Sequence, residues 1–176
     1  MKQLVLLLLM IISVTGCSSQ AGDDRVGLYF FADLPTTVSD DILSILEEGG
    51  IGQSETFELS ILPMFHEKVY AELAAKNGDI YFIKQDSVKG IIDPIGFLPL
   101  DELVTDKTFS STNSTDYQAV DPETKEERTY LIPVGNDSLL LRKLGLELNT
   151  PLAAFIPAYS ENQDKALEIL AYLTGE

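Results

Sequence analysis

One cysteine and one histidine stand in the whole chain of 176 residues, and they bound the chemistry it could do. Cys17 has no basic neighbour to lower its thiol pKa, so it does not read as a nucleophile. His66 has no second His or Cys with which to share a metal, and it precedes an apolar-periodic run, as a residue at a helix start does. Ser138 and Ser160 lack a base that could activate them. The acid pairs Asp40-Asp41 and Glu47-Glu48 fall at opposite ends of one helical stretch, where solvation and, for the first pair, the helix dipole explain them. The turn around Glu123, Glu126 and Glu127 lacks the Asp-x-Asp-x-Asp-Gly spacing of a calcium loop, and Lys125 and Arg128 are interleaved with it. These patterns call for no catalytic set, metal or cofactor. Binding is what remains. Asp33, Gln85, Asp86 and Asn136 follow predicted strands and could exchange hydrogen bonds with the hydroxyls of a small polar solute. Tyr159 could stack on such a ligand. The same residue types are also ordinary members of turns and caps.

Those positions matter only if strands end where they stand. Val26 to Phe31 is an apolar run of strand length, as expected of a strand covered on both faces. Ser39 is placed to cap a helix over Asp40 to Glu48, stopped by Gly49-Gly50. Thr56 to Leu62 alternates as a second strand and ends at Pro63. Val69, Tyr70, Leu73 and Ala74 share one face of a helix over His66 to Lys76, closed by Asn77-Gly78, and Ile80 to Ile83 is a third buried strand. The order so far is βαβαβ. Thr105 to Asp116 is Ser/Thr-rich and reads as a solvated loop. Tyr117 to Val120 and Arg128 to Val134 flank the charged turn as a β-hairpin. Leu139 to Leu144 forms a short helix ending at Gly145, Leu152 to Ile156 a strand, and Ser160 to Tyr172 an amphipathic helix with Ala166, Leu167, Leu170 and Leu173 inward. The predicted fold is α/β, a central mostly parallel sheet flanked by helices with a β-hairpin excursion. In such a sheet ligands sit at the carboxyl ends of the strands, where strand order reverses. That rule selects Asp33, Gln85, Asp86 and Asn136.

Charge and the leader narrow the setting. With 28 acidic against 12 basic residues the formal net charge is −16, which excludes a nucleic-acid binder as the first reading, since such a module needs a basic patch. Met1-Lys2-Gln3, an apolar run from Leu4 to Ile12 and then Ser13-Val14-Thr15-Gly16-Cys17 form a secretory signal whose apolar stretch is too short to span a membrane. The small residues before Cys17 match the lipobox of bacterial lipoproteins. That resemblance implies cleavage after Gly16, acylation of Cys17 and anchoring on the extracytoplasmic face of a cell-envelope membrane. Residues 1–16 are then the signal peptide, 17–24 a lipidated flexible tether, and 25–176 one domain. Removing the leader takes away Lys2 and no acidic residue.

A second resemblance rests on three motifs in order. Tyr70-Ala71-Glu72-Leu73-Ala74-Ala75-Lys76-Asn77-Gly78-Asp79 precedes the third strand; Gly96-Phe97-Leu98-Pro99-Leu100-Asp101-Glu102-Leu103 follows it; and Ala153-Ala154-Phe155-Ile156-Pro157 leads into Ser160-Glu161-Asn162-Gln163-Asp164-Lys165-Ala166. Together they resemble the first lobe of extracellular solute-binding proteins of the family 1 type, which feed ABC importers. The resemblance implies a single periplasmic-binding-protein-like lobe, a small polar solute as ligand, and an ABC permease or another envelope protein as partner. The sequence departs from that pattern in length. Members of the family insert most of a second lobe where this chain has only Val104 to Ala153, so one lobe offers half a cleft. The family's Pro-Asp after Gly-Asp is replaced by Ile80-Tyr81, and there is no Trp to stack on a sugar. A docking lipoprotein that has lost ligand binding is the alternative.

Overall fold

The computed structural model describes residues 25–110 and 112–175. The signal peptide, the tether and Cys17 lie outside the described residues. Along the chain run β1 (Val26–Phe31), α1 (Ser39–Glu48), β2 (Phe57–Leu62), α2 (His66–Ala74), β3 (Ile80–Lys84), β4 (Gln118–Val120), β5 (Glu127–Thr129), β6 (Ile132–Val134), α3 (Leu139–Leu144), β7 (Leu152–Phe155) and α4 (Gln163–Thr174).

Five strands form the central sheet in the order β2-β1-β3-β7-β6. β1 pairs in parallel with β2 and with β3, whereas β7 runs antiparallel to both of its neighbours, β3 and β6. The sheet is therefore mixed: only β7 runs against the other four strands. The continuous apolar composition of β1, β3 and β7 has its cause in burial on both faces. Leu28, Phe30, Phe82 and Ala154 point to the face covered by α1, α3 and α4, where the Phe30 and Phe82 rings stack 4.2 Å apart. Tyr29, Phe31, Tyr81, Ile83 and Phe155 point to the other face, beneath Val69 of α2 and Phe97. There the rings of Tyr81, Phe155 and Phe97 stack in sequence, with centroids 5.1 and 4.0 Å apart. Burying each such ring stabilises the fold by about 1.5–3 kcal/mol.

The local expectations fail in four places. Ser39 does not cap α1. Its hydroxyl donates to the Thr36 carbonyl at 3.0 Å, closing the 3-10 turn that precedes the helix, because that turn runs straight into α1. The end of α2 is made by Lys76, at φ 56°, rather than by Asn77-Gly78. Asn77 N–H reaches back to Glu72 O and Lys76 N–H to Leu73 O, both at 3.0 Å, which is the Schellman arrangement. The hairpin is shorter than predicted. β4 and β5 pair, but at Tyr130-Leu131 the chain leaves the hairpin, and β6 joins the edge of the main sheet beside β7. Tyr130 and Leu131 are fully buried at that point, in the apolar cluster on the α2 face of the main sheet. In α4 the inward set is Ala166, Ile169, Leu170 and Leu173, with Leu167 only partly covered.

The three motifs that carried the second resemblance meet as clamps. Asp79 Oδ1 accepts from Ser160 Oγ at 2.6 Å, and Oδ2 accepts from Gly27 N–H at 2.8 Å and from Asn162 Nδ2 at 3.3 Å. The carboxylate thus ties the start of β3 to the start of β1 and to the approach to α4. Gly78 stands at φ +72°, and a Cβ there would lie 2.5 Å from the Tyr29 ring, so this turn requires glycine. Asp101 accepts from Thr129 N–H at 2.9 Å and Arg128 Nε at 2.7 Å, fixing its segment against β5.

Candidate binding cleft

Since β1, β2, β3 and β6 run one way and β7 the other, the carboxyl ends of the first four and the amino end of β7 share one rim of the sheet. Asp33, Lys84, Gln85, Asp86, Asn136 and the stretch Asn149-Thr150-Pro151 all come to this rim. At its centre, where antiparallel β7 follows parallel β3, lies a cleft of about 470 Å³. One wall is Gln85, Asp86, Val88 and Lys89, in the 3-10 turn Gln85–Gly90 that continues β3. A second is Asn149, Thr150 and Pro151, held to the first by the bond from Gln85 N–H to Pro151 O at 2.9 Å. Thr112, Asn113, Asp116 and Tyr117 close the third side. The volume falls within the range of small-molecule sites, about 300–1,000 Å³.

The cleft's charges are nearly balanced. Lys89 Nζ lies 3.1 Å from Asp116 Oδ1, across the opening between two walls. Asp86 adds a further carboxylate, touched by Ser87 Oγ at 3.2 Å. Beneath the wall, Tyr117 Oη and Thr112 Oγ1 are both buried, and neither has a hydrogen-bond partner among the described residues. Tyr117 stands close to Thr112 and Gln85, without a bond of acceptable geometry to either; its hydroxyl is pushed up from the usual phenol range, chiefly by burial. Two buried hydroxyls left unpaired at one place depart from the rule that interior polar groups are satisfied.

The five residues nominated from sequence separate into two groups. Gln85 and Asp86 line the cleft. Asp33 is exposed on the same rim and forms an ion pair with Lys84, joining the ends of β1 and β3. Asn136 supports the cleft without lining it. Its Nδ2 donates to Leu148 O at 3.0 Å and its Oδ1 accepts from Leu148 N–H at 2.9 Å, which fixes the chain just before Asn149. Tyr159 lies at the opposite end of β3, where its hydroxyl donates to Asn77 O at 2.7 Å and sits 3.1 Å from Tyr81 Oη. The structure does not bring it to the other four. Sequence reasoning missed Thr112, which falls in the Ser/Thr-rich stretch that reads as solvated loop, Tyr117, which reads as the first residue of a hairpin strand, and Asn149-Thr150. The Asn-Thr-Pro turn directly before a strand was the one local signal.

The remaining polar candidates are structural. Ser138 Oγ caps α3, accepting from Leu141 N–H at 3.4 Å. His66 begins α2, as expected, and is exposed. Asp121 accepts from the N–H groups of Glu123 and Thr124 at 2.8 and 2.9 Å and shapes the hairpin turn. Among the described residues no cluster of three His, Cys, Asp or Glu side chains could hold a metal ion. A second cavity, of about 600 Å³, lies between residues 102–110, β6 and the end of α4, and Gly135 and Asp137 reach it.

Fold and site together define a mixed α/β domain with a polar cleft where the direction of its sheet changes. Among curated proteins, the chain is similar to the "Putative lipoprotein YteS" of Bacillus subtilis (strain 168), 29% identical over 164 residues that cover 93% of this chain and 90% of that one. No family model matches the chain, and no solved structure matches it. The similarity supports a bacterial lipoprotein and a place in the cell envelope, in agreement with the leader and Cys17. No described helix is long and apolar enough to cross a membrane.

Proposed function

We propose that this chain is an extracytoplasmic lipoprotein, anchored through Cys17, whose α/β domain is a solute-binding-like lobe that takes a small polar solute in the cleft beside β3 and works with an ABC importer. The observation that carries the reading is the pair of buried, unpaired hydroxyls of Tyr117 and Thr112 under a cleft of about 470 Å³. Leaving a buried hydroxyl unbonded costs about 1–3 kcal/mol, and a ligand able to donate and accept at that point recovers it. Amides of Gln85, Asn113 and Asn149 and the carboxylate of Asp86 surround the position, with the Lys89–Asp116 pair nearly neutral. Such a lining favours an uncharged or cationic solute over an anion. The lobe carries no catalysis in this reading.

A second reading has its own observation. Asp33, Asn136 and Tyr159 spend polar atoms on Lys84, Leu148 and Asn77, as expected of a domain that docks on another envelope protein and binds no solute. Thermal unfolding of the full chain against sugars, oligosaccharides, amino acids and metal ions separates the two. Binding raises the melting temperature with ligand concentration, by the equivalent of about 2.7 kcal/mol at a hundredfold excess over Kd. Flat responses throughout, with one membrane protein recovered by mild crosslinking, establish docking instead.

A further inference from the structure

The two edges of the central sheet are treated differently. β6 is three residues long, has Pro133 at its centre and is flanked by residues 102–110, so it offers little to another strand. β2 is six residues long, pairs along its whole length with β1, contains no proline, and carries a single charge, Glu58, which Arg25 of its own chain meets at 3.4 Å. Among the described residues no backbone group of another segment bonds to its outer side. Ala32 N–H donates to Leu62 O at 3.1 Å, so Leu62 turns its backbone groups inward, and by alternation so do Ser60 and Glu58. Phe57, Leu59 and Ile61 therefore present theirs outward.

We propose that this edge pairs with the same edge of a second copy, antiparallel about a twofold axis through Leu59. In that register Leu59 faces Leu59 of the second copy and Phe57 faces its Ile61, each as a hydrogen-bonded pair. The sequence suits this pairing to itself. Phe57, Leu59 and Ile61 project to the same face, with the latter two only partly covered in the monomer, so the junction continues the apolar layer beneath α1. On the other face Glu58 meets Ser60 of the second copy, so no two carboxylates stand directly opposed. An isologous contact of this kind closes on itself and stops at two subunits. The net charge of −16 on each copy opposes association, so the dimer tightens as salt rises.

Sedimentation equilibrium of the detergent-extracted protein, and of the full chain carrying Cys17→Ser, tests the pairing. Both are expected as dimers, tighter at high salt, and Leu59→Lys is expected to weaken the dimer at least tenfold. A Leu59→Cys variant in the Cys17→Ser background is expected to cross-link into dimers on oxidation, because residues in such a pair have Cα atoms about 5.5 Å apart, within disulfide range. Glu168→Cys, on the exposed side of α4, is expected to give none. The cross-link decides the matter where Leu59→Lys unfolds the chain. A monomer at every concentration, a dimer that weakens with salt, or a dimer in which Leu59→Cys fails to cross-link overturns the proposal.

Discussion

The carboxylate of Asp79 accepts a hydrogen bond from the Ser160 hydroxyl at 2.6 Å, although 81 positions separate them in the chain. Asp79 also holds Gly27 N–H and Asn162 Nδ2, so one side chain closes the amino-terminal rim of the sheet. Asp79→Ala strands three donors in a partly buried place, and is expected to lower the unfolding free energy by about 2–4 kcal/mol. Urea unfolding measures it; a loss below about 0.5 kcal/mol refutes the clamp.

Gly78→Ala tests the same rim sterically. A positive φ disfavours alanine, and the added methyl lies 2.5 Å from the Tyr29 ring. The two effects together are expected to cost about 2–3 kcal/mol. Gly145, also at positive φ but with open space around it, is expected to tolerate the same change with about 1 kcal/mol lost. Equal losses at the two glycines speak against the contact with Tyr29.

Tyr117→Phe separates stability from binding. Removing an unpaired buried hydroxyl is expected to raise the unfolding free energy of the ligand-free chain by about 0.5–1 kcal/mol, while any solute that stabilises the parent loses effect. A destabilised variant would mean that the hydroxyl is bonded in solution.

Alkali is expected to loosen the rim opposite the cleft. Burial pushes Tyr159 from 10.0 to about 12, and Tyr81 is raised further by burial and by its bond with Tyr159. Both are raised above their unfolded value. Their contribution is therefore complete below about pH 10 and is lost as pH rises from there, through about 12 for Tyr159 and beyond it for Tyr81. Unfolding free energies followed from neutral pH upward, together with near-ultraviolet phenolate absorbance, measure it. Tyr159→Phe is expected to flatten part of that decline, and an unchanged alkaline profile argues against the coupling.

Cys17→Ala is expected to release the protein from membranes into the soluble fraction, because two acyl chains anchor stably and none remains in the variant. Fractionation of cells with an antibody to the domain reads the result. Membrane retention in the variant excludes lipidation as the anchor.

Much of this molecule is legible locally. The βαβαβ start, the short helix before Gly145 and the last helix all follow from apolar periodicity and turn residues, because each is decided within a few neighbouring positions. Gln85 and Asp86 were also within reach, since a topological rule about strand ends needs only the strands. The same rule brings Asn136 to the rim but does not show that its side chain is spent on Leu148. Tyr159 was nominated by type, and type says nothing of where a side chain spends its bonds. What only the tertiary structure decided are pairings across long stretches of chain: Asp79 with Ser160, Asn136 with Leu148, and Tyr117 brought under the wall formed by Gln85 and Asn149. It also decided that β7 runs against the strands beside it, which places Asn149-Thr150 at the cleft. The physical reason is that strand direction and hydrogen-bond partners depend on which buried surfaces meet, and that choice is made by the packing of the whole core.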